Sequence, residues 1–598
     1  GMSMRNANSQ FRQTGWDLSD VIAAPEGEPL QTLTAELETT VSAIEAMRPE
    51  LSDDVSIADF NRALELSQQL TAVANRLGSY AGLWFSEDTQ NQAALAFQGK
   101  IEQLTTEAQN RALFLPLWWK TLAEAPAARL IAAAPADMRY YLQQQRKVRP
   151  HVLAERDEQI INIKDMNGGN ALTTIYAMLT NKYKFNLRVD GEERELTRDA
   201  LMTYVRKADA AMRAQAYQEL YRVYADDGLV LAQVYTHMVR DWHEEQVKLR
   251  GYASPIAVRN LRNGIPNEVT ETLLQVCRVN APVFQRWLRV KAGLLEIGKL
   301  RRYDIYAPLS SAEQKHPYAE AIALVLDTFE QFSPQVATAA RRVFEDNHID
   351  SEIRAGKRGG AFCASVLPKM TPYVLMNYTG IVRDVATLAH ELGHAIHSMM
   401  AEQHSVLTFH STLPLAETAS TFSEMLLTDR LLAEEPDATV RRDLIANVLD
   451  DNYATIMRQA FFTLFEQRAH TMIIEDASAD ELNRAYMENL KDQFGDSVAL
   501  SEEFQWEWVS IPHIYYSPFY CYAYSFGQLL VLAMYQRYRE QGAAFIPHYL
   551  KILSYGGSQS PEYILGKAGI DISAPEFWQG GFDYISRLID ELQAEKTR

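Results

Sequence analysis

Apolar residues recur at helical spacing along most of this chain. In "SIADFNRALELSQQLTAVANRLG", Leu66, Leu70, Val73 and Leu77 fall on one side of a helix. Ser56 and Asp59 read as a capping box at its start, and Gly78 as its stop. "NQAALAFQGKIEQLTTEAQNRALFLPLWW" and "HPYAEAIALVLDTFEQFS" repeat the pattern, with Pro116 and Pro317 marking boundaries because proline has no N–H for the helical ladder. Period-two alternation is rare. It is clearest in "KFNLRVDGEERELT", where Asp190 and Gly191 separate two alternating runs and predict a hairpin, and in "YVLMNYTG" from Tyr373, which predicts a short strand. The predicted fold class is mostly α with a small β element. A boundary just past the hairpin, near residue 200, would give an N-terminal helical domain, 1–200, and a second domain, 201–598.

Composition narrows the class. A chain of 598 residues exceeds the size at which one hydrophobic core keeps growing, so two or more units are expected. With 47% hydrophobic and 23% charged residues it is globular. A net charge of -19 and no basic cluster argue against nucleic acid or an anionic membrane as partner. Cys277, Cys363 and Cys521 are too far apart for a CxxC site and odd in number, so a reducing compartment is expected. "GMSMRNANSQFRQ" has no apolar export segment, and Gly1 before Met2 reads as an expression scar. "FGQLLVLAMY" from Phe526 is about half the length that crosses a bilayer. The expected location is the cytoplasm.

Chemistry concentrates in "DVATLAHELGHAIH", residues 384–397, which holds three of the 13 histidines. On a helix His390 and His394 lie one turn apart on one face, close enough to share a metal ion, and Glu391 is one step round. A catalytic zinc takes three protein ligands and keeps an open position, and a nearby carboxylate can take a proton from the attacking water. HExxH supplies two ligands and that base. The Gly and His expected just beyond the motif in one large group of zinc peptidases are absent, since His397 and Met400 stand there. The third ligand is then expected on a following helix. In "LPLAETASTFSEMLL", Glu417, Ser420 and Glu424 share a helical face, and the apolar neighbours Ala419, Phe422, Met425 and Leu426 suggest burial. Glu417 is assigned as ligand and Glu424 as the carboxylate that orients a ligand imidazole. His397 shares the face of the two histidines and competes as third ligand, although three ligands on one straight helix cannot surround an ion.

"LAHELGHAIH" followed by "AETASTFSE" resembles the oligoendopeptidase F branch of the thimet oligopeptidase family of zinc metallopeptidases. "YDIYAPLS", "GKRGGAFCASVLP", "MNYTGIVRDVATLAHELGHAIH" and "IPHIYYSPFYCYAYSFG" resemble segments of that branch in the same order, and strong similarity covers roughly residues 240 to 590. The resemblance implies a large helical body divided by a deep channel, with one Zn2+ on its floor, that admits short unstructured peptides and excludes folded proteins. Residues 201–598 would then be the catalytic domain. The resemblance favours Tyr522, with His513 beside it, as donors to the oxyanion formed at the scissile carbonyl. Tyr516 is a candidate substrate contact, and Ser517-Pro518 reads as the cap and first turn of a helix. On that helix Tyr520 and Tyr524 share one face, Phe519 and Tyr522 another. "AGKRGGAF" lacks the spacing of a phosphate loop and reads as a mobile loop over the channel, with Gly359 and Gly360 contacting substrate. "PYVLMNY" offers a strand edge on which a peptide could pair. A dipeptidyl carboxypeptidase or carboxypeptidase, and a catalytically silent peptide-binding protein, are the alternatives. An exopeptidase would need a cation for the substrate's terminal carboxylate, and a silent protein would be expected to have lost a ligand or the base.

Overall fold

A computed structural model of the chain describes residues 11–310 and 314–596. Gly1, read as an expression scar, lies outside them. The fold is mostly helical, as the apolar periodicity predicts. The helices that bear on function are α1 (Gly27–Ala46), α2 (Ile57–Glu87), α3 (Gln92–Ala112), α4 (Pro255–Asn263), α5 (Tyr318–Phe332), α6 (Pro334–Glu345), α7 (Val382–Met400), α8 (Thr418–Glu434), α9 (Arg458–Ile474) and α10 (Tyr522–Gln541). No helix among the described residues is long and apolar enough to cross a membrane.

The chain forms two compact units interleaved in sequence. One comprises Gly1–Arg149, Glu313–Glu434 and Arg537–Asp571; the other comprises Pro150–Ala312, Glu435–Gln536 and Ile572–Arg598. The expected single cut near residue 200 does not match this division, because the hairpin that suggested it lies inside the second unit. That hairpin is as predicted. β1 (Phe185–Val189) pairs antiparallel with β2 (Glu192–Leu196), and Asp190 and Gly191 turn between them at φ 53 and 79, the left-handed values a two-residue hairpin requires.

In the first unit α1, α2 and α3 pack around Leu37, Val41, Leu66, Val73 and Leu77. The Ser56 hydroxyl accepts from Asp59 N at 3.0 Å and starts α2. Gly78 does not end it. The helix runs on to Glu87, because Tyr80, Ala81 and Leu83 continue the buried face and their packing outweighs one glycine. The same core reaches a three-stranded sheet, in which β6 (Tyr373–Leu375) lies centrally between parallel β4 (Ile349–Asp350) and antiparallel β5 (Phe362–Ala364). The "PYVLMNY" strand is therefore paired on both sides, and the edges are β4 and β5. The second unit also holds a short parallel pair, β3 (Leu300–Arg301) with β7 (Val498–Ala499).

In the second unit the 502–510 segment leading to His513 is fixed by buried Glu507. Its carboxylate accepts from Tyr221 Oη at 3.0 Å, from Arg302 at 2.9 Å, from Arg458 at 3.3 Å and from Tyr486. Removing one partner from such a buried charged network is strongly destabilising, because it leaves a charge uncompensated.

Candidate active site

Helix α7 is started by its own third residue. Asp384 accepts from Thr379 N at 2.7 Å, Thr379 Oγ1 at 2.6 Å and Gly380 N at 3.1 Å, placing a negative charge at the helix N-terminus. Leu388, Leu392 and Ile396 are buried, which leaves His390 and His394 together on a half-exposed face. Helix α8 begins at Thr418, so Glu417 sits just before its first turn, its carbonyl accepting from Thr421 N at 3.0 Å. Gly393 lets the two helices meet. A Cβ there would lie 2.5 Å from Ala419 O and 2.6 Å from Ser420 Cα, both backbone atoms.

The approach brings three donors together. His390 Nε2 and His394 Nε2 lie 3.2 and 3.3 Å from the same Glu417 oxygen, and the three residues are the one such group of possible metal ligands among the described residues. Donors sharing a tetrahedral zinc at about 2.0–2.1 Å sit about 3.3 Å apart, so this set fits the ion. His390 donates from Nδ1 to Glu424, which turns its Nε2 inward, and Ser420 Oγ donates to Glu417 Oε2 at 2.7 Å. His397 lies outside the group. It is buried within its own unit, and that burial pushes its pKa down to about 4.

One expectation about the acids needs correction. The side chains of Glu417 and Glu424 are 52% and 38% exposed, so the cost of burial does not explain why they have partners. The imidazoles do. Burial works against ionised Glu417, yet hydrogen bonds from His390 and His394 hold it well below the usual carboxylate range. For His390 burial opposes the cation, but Glu417 and Glu424 push its pKa up to about 10. Metal-free protein thus carries a proton on His390 at neutral pH, and a metal must displace it. Apparent zinc affinity is expected to rise about tenfold per pH unit from about pH 7 to about pH 9, levelling off near His390's own pKa. Titration calorimetry in buffers of different ionisation enthalpy checks this; no proton release would contradict it.

Glu391 is 7% exposed, and burial raises its carboxyl above the ordinary range. Beside it lies Cys363 of β5, whose thiol is pushed up by its burial and by the charge of Glu391. Edge strand β5 thus runs past the base. The glycine-rich loop before it is more tethered than expected. Lys357 donates to Glu352 O at 2.6 Å and Met376 O at 2.7 Å, and Asn377 donates to Arg358 O at 3.1 Å and Gly360 O at 2.9 Å. Gly359 and Gly360 remain exposed between these anchors, Gly360 at φ 78.

His513, Tyr516 and Tyr522 belong to the second unit. The helix expected from Ser517-Pro518 does not start there. Helix Pro512–Tyr516 ends, Phe519 turns at φ 62, and α10 begins at Tyr522. That strained turn is held from a distance, since the Phe519 N–H donates to buried Glu466 of α9 at 2.9 Å. Burial pushes the Glu466 carboxyl up to about 8. The turn buries Tyr522, 1% exposed, and its hydroxyl accepts from Asn263 Nδ2 at 2.9 Å. Tyr522 therefore turns no face to solvent here. The other face is open: the His513 ring lies 6.2 Å from that of Tyr520 and 6.0 Å from that of Tyr524. Tyr516 is 45% exposed, its ring edge-on to Tyr176.

The model of the family described as Peptidase family M3 matches residues 203–584. The chain belongs to that family. This M3 peptidase is a metallopeptidase, with its HExxH helix and His-His-Glu group inside the matched region. It is 26% identical over 589 residues to Oligopeptidase PepF of Bacillus subtilis, covering 97% of this chain and 86% of that protein. Group B oligopeptidase PepB of Streptococcus agalactiae is also 26% identical, over 97% of this chain and 96% of its own. The fold matches a putative peptidase from Chlamydophila abortus with a TM-score of 0.89 at 24% identity, over 97% of this chain and 98% of that one. Oligoendopeptidase-F from Enterococcus faecium gives 0.69 at 23% identity, over 95% and 99%.

Two residues that shape these elements escape a reading of motifs. Gly393 gives only a weak signal, a glycine inside a good helix, which points to close packing. Glu466 gives another, a lone acid in the apolar run "AFFTLFEQ".

Proposed function

We propose that this M3 metallopeptidase is a zinc-dependent endopeptidase that hydrolyses short unstructured oligopeptides in the cytoplasm. The observation that carries it is the convergence of His390 Nε2, His394 Nε2 and Glu417 Oε2 beside the buried carboxyl of Glu391. His390, His394 and Glu417 would hold zinc, whose Lewis acidity polarises the scissile carbonyl and acidifies water. Glu424 keeps the His390 tautomer fixed. Glu391 takes the proton from the attacking water and returns it to the leaving amine, a task suited to a carboxyl with a raised pKa. His513 donates to the oxyanion, with the open-faced Tyr520 and Tyr524 as partners in place of buried Tyr522. Tyr516 contacts the peptide. Edge strand β5 pairs with its main chain, which binds many sequences alike, and Gly359 and Gly360 leave room for it. Three free cysteines suit a reducing compartment.

Zinc-loaded protein is expected to cut a quenched peptide blocked at both ends internally, to spare folded protein, and to stop after chelation. Mass spectrometry of the fragments checks this. Release of only C-terminal dipeptides, with the blocked peptide untouched, would point to an exopeptidase instead.

A further inference from the structure

Helix α4 carries Arg259 and Arg262 one turn apart. In a chain with 77 acids and 58 basic residues, neither forms an ion pair among the described residues. Arg262 is exposed over the ring of Trp242. Arg259 is half-buried. Its Nε donates to Pro518 O at 3.2 Å, and its guanidinium carbon stands 5.7 Å from the centre of the Tyr520 ring. The two terminal nitrogens have no protein hydrogen bond among the described residues. Asn263 of the same helix holds Tyr522, so the guanidinium fork is fixed at its base and open at its tips.

A guanidinium drawn out of water without an anion is an unfavourable arrangement. Burial indeed pulls the Arg259 pKa down. The acid whose field it feels, Glu466, forms no ion pair with it among the described residues: one carboxyl oxygen accepts from the Phe519 N–H, the other has no partner, and burial pushes the group up to about 8, which favours its neutral form. On its open side Arg259 meets Tyr520, and Tyr520 lies against Tyr524 and beside His513.

We infer that Arg259, braced by Tyr520, is a specificity-determining residue that docks a carboxylate of the peptide substrate, at its C-terminus or on an acidic side chain. This rests on the proposal that His513 and its neighbouring tyrosines face the substrate. Arginine's planar fork takes a carboxylate through two parallel N–H···O bonds, and a fork already held at Nε loses little freedom in doing so. The aromatic face beneath it strengthens the hold on the cation.

Binding to zinc-loaded Glu391→Gln protein tests the subsite without requiring turnover. The probes are one peptide containing a single Glu, its C-terminal amide, and its Glu-to-Gln counterpart. The free acid is expected to bind about 30-fold more tightly than whichever neutralised peptide removes the recognised carboxylate. Adding Arg259→Gln should abolish that preference while leaving the weaker peptide within about twofold. Arg259→Lys, which keeps the charge but not the fork, should leave a preference of only about fivefold and guards against a folding defect in the glutamine variant. Loss of the preference in the amide pair identifies the terminal carboxylate, and in the Glu/Gln pair a side chain. Equal affinities for all three peptides, or a preference unchanged by both variants, would overturn the inference. Wild-type turnover of the amidated peptide reports separately on the peptidase proposal.

Discussion

Zinc-loaded protein carrying Glu391→Gln is expected to keep its metal and lose about 10³-fold or more of its turnover. The substitution removes proton transfer and little else. Glu391 is not among the three donors that converge at 3.2–3.3 Å, and glutamine has the same shape in the same buried place. Its raised pKa means that ionising it costs the metal-free fold, because burial disfavours the charge. A carboxyl whose folded pKa lies above its unfolded value destabilises increasingly as pH rises past the latter, and glutamine removes that penalty. The melting temperature of metal-free Glu391→Gln protein at neutral pH should therefore match or exceed that of wild type. Metal analysis, a peptide assay and a thermal scan decide the matter together. Near wild-type turnover would remove Glu391 from the chemistry, whereas lost metal would make it a ligand.

Gly393→Ala is expected to damage the metal centre without touching a ligand. The new methyl would lie 2.5–2.9 Å from Ala419 O, Ser420 Cα and Ala419 C, and backbone of a packed helix cannot step aside as a flexible side chain would. Helices α7 and α8 must separate, and Glu417 moves away from the imidazoles with them. Overpacking of this kind costs about 1–3 kcal/mol. The shift at Glu417 should weaken zinc binding about 100-fold, because a tetrahedral site tolerates little displacement of a ligand. Gly82→Ala in α2 is the control. A Cβ there meets nothing within 4 Å, so the better helix former should stabilise by about 0.5–1 kcal/mol and leave zinc affinity unchanged. Competition with a chromophoric chelator and denaturant unfolding measure both effects. Wild-type zinc affinity in Gly393→Ala would mean that helix spacing does not set the site.

Local pattern made the grouping of His390, His394 and Glu417 legible. HExxH on a helical period fixed the relation of His390 to His394, and the sharing of a face by Glu417 and Glu424 pointed to two further carboxylates near them. Local pattern also gave the hairpin, because Asp190-Gly191 carries its conformation in its own residue types. What stayed hidden depends on partners far along the chain. Which strand is an edge depends on pairing, and β6 proved central because residues 349–350 and 362–364 flank it. The start of α10 is set by Glu466, 53 residues before Phe519. Tyr520 lies outside the helix on which it was expected, and the partner of the buried Tyr522 hydroxyl, Asn263, is 259 residues away. The burial expected of Glu417 failed for the same reason: apolar neighbours show that a helix is packed, not how far its first residue projects.

The interleaving of the two units bears on biosynthesis. The unit carrying His390, His394 and Glu417 needs Arg537–Asp571 to be complete, so it cannot close on the ribosome until almost the entire polypeptide has emerged. A nonsense codon between residues 418 and 536 would yield a fragment holding His390, His394 and Glu417 yet missing part of the body around them, a natural client for chaperones and degradation.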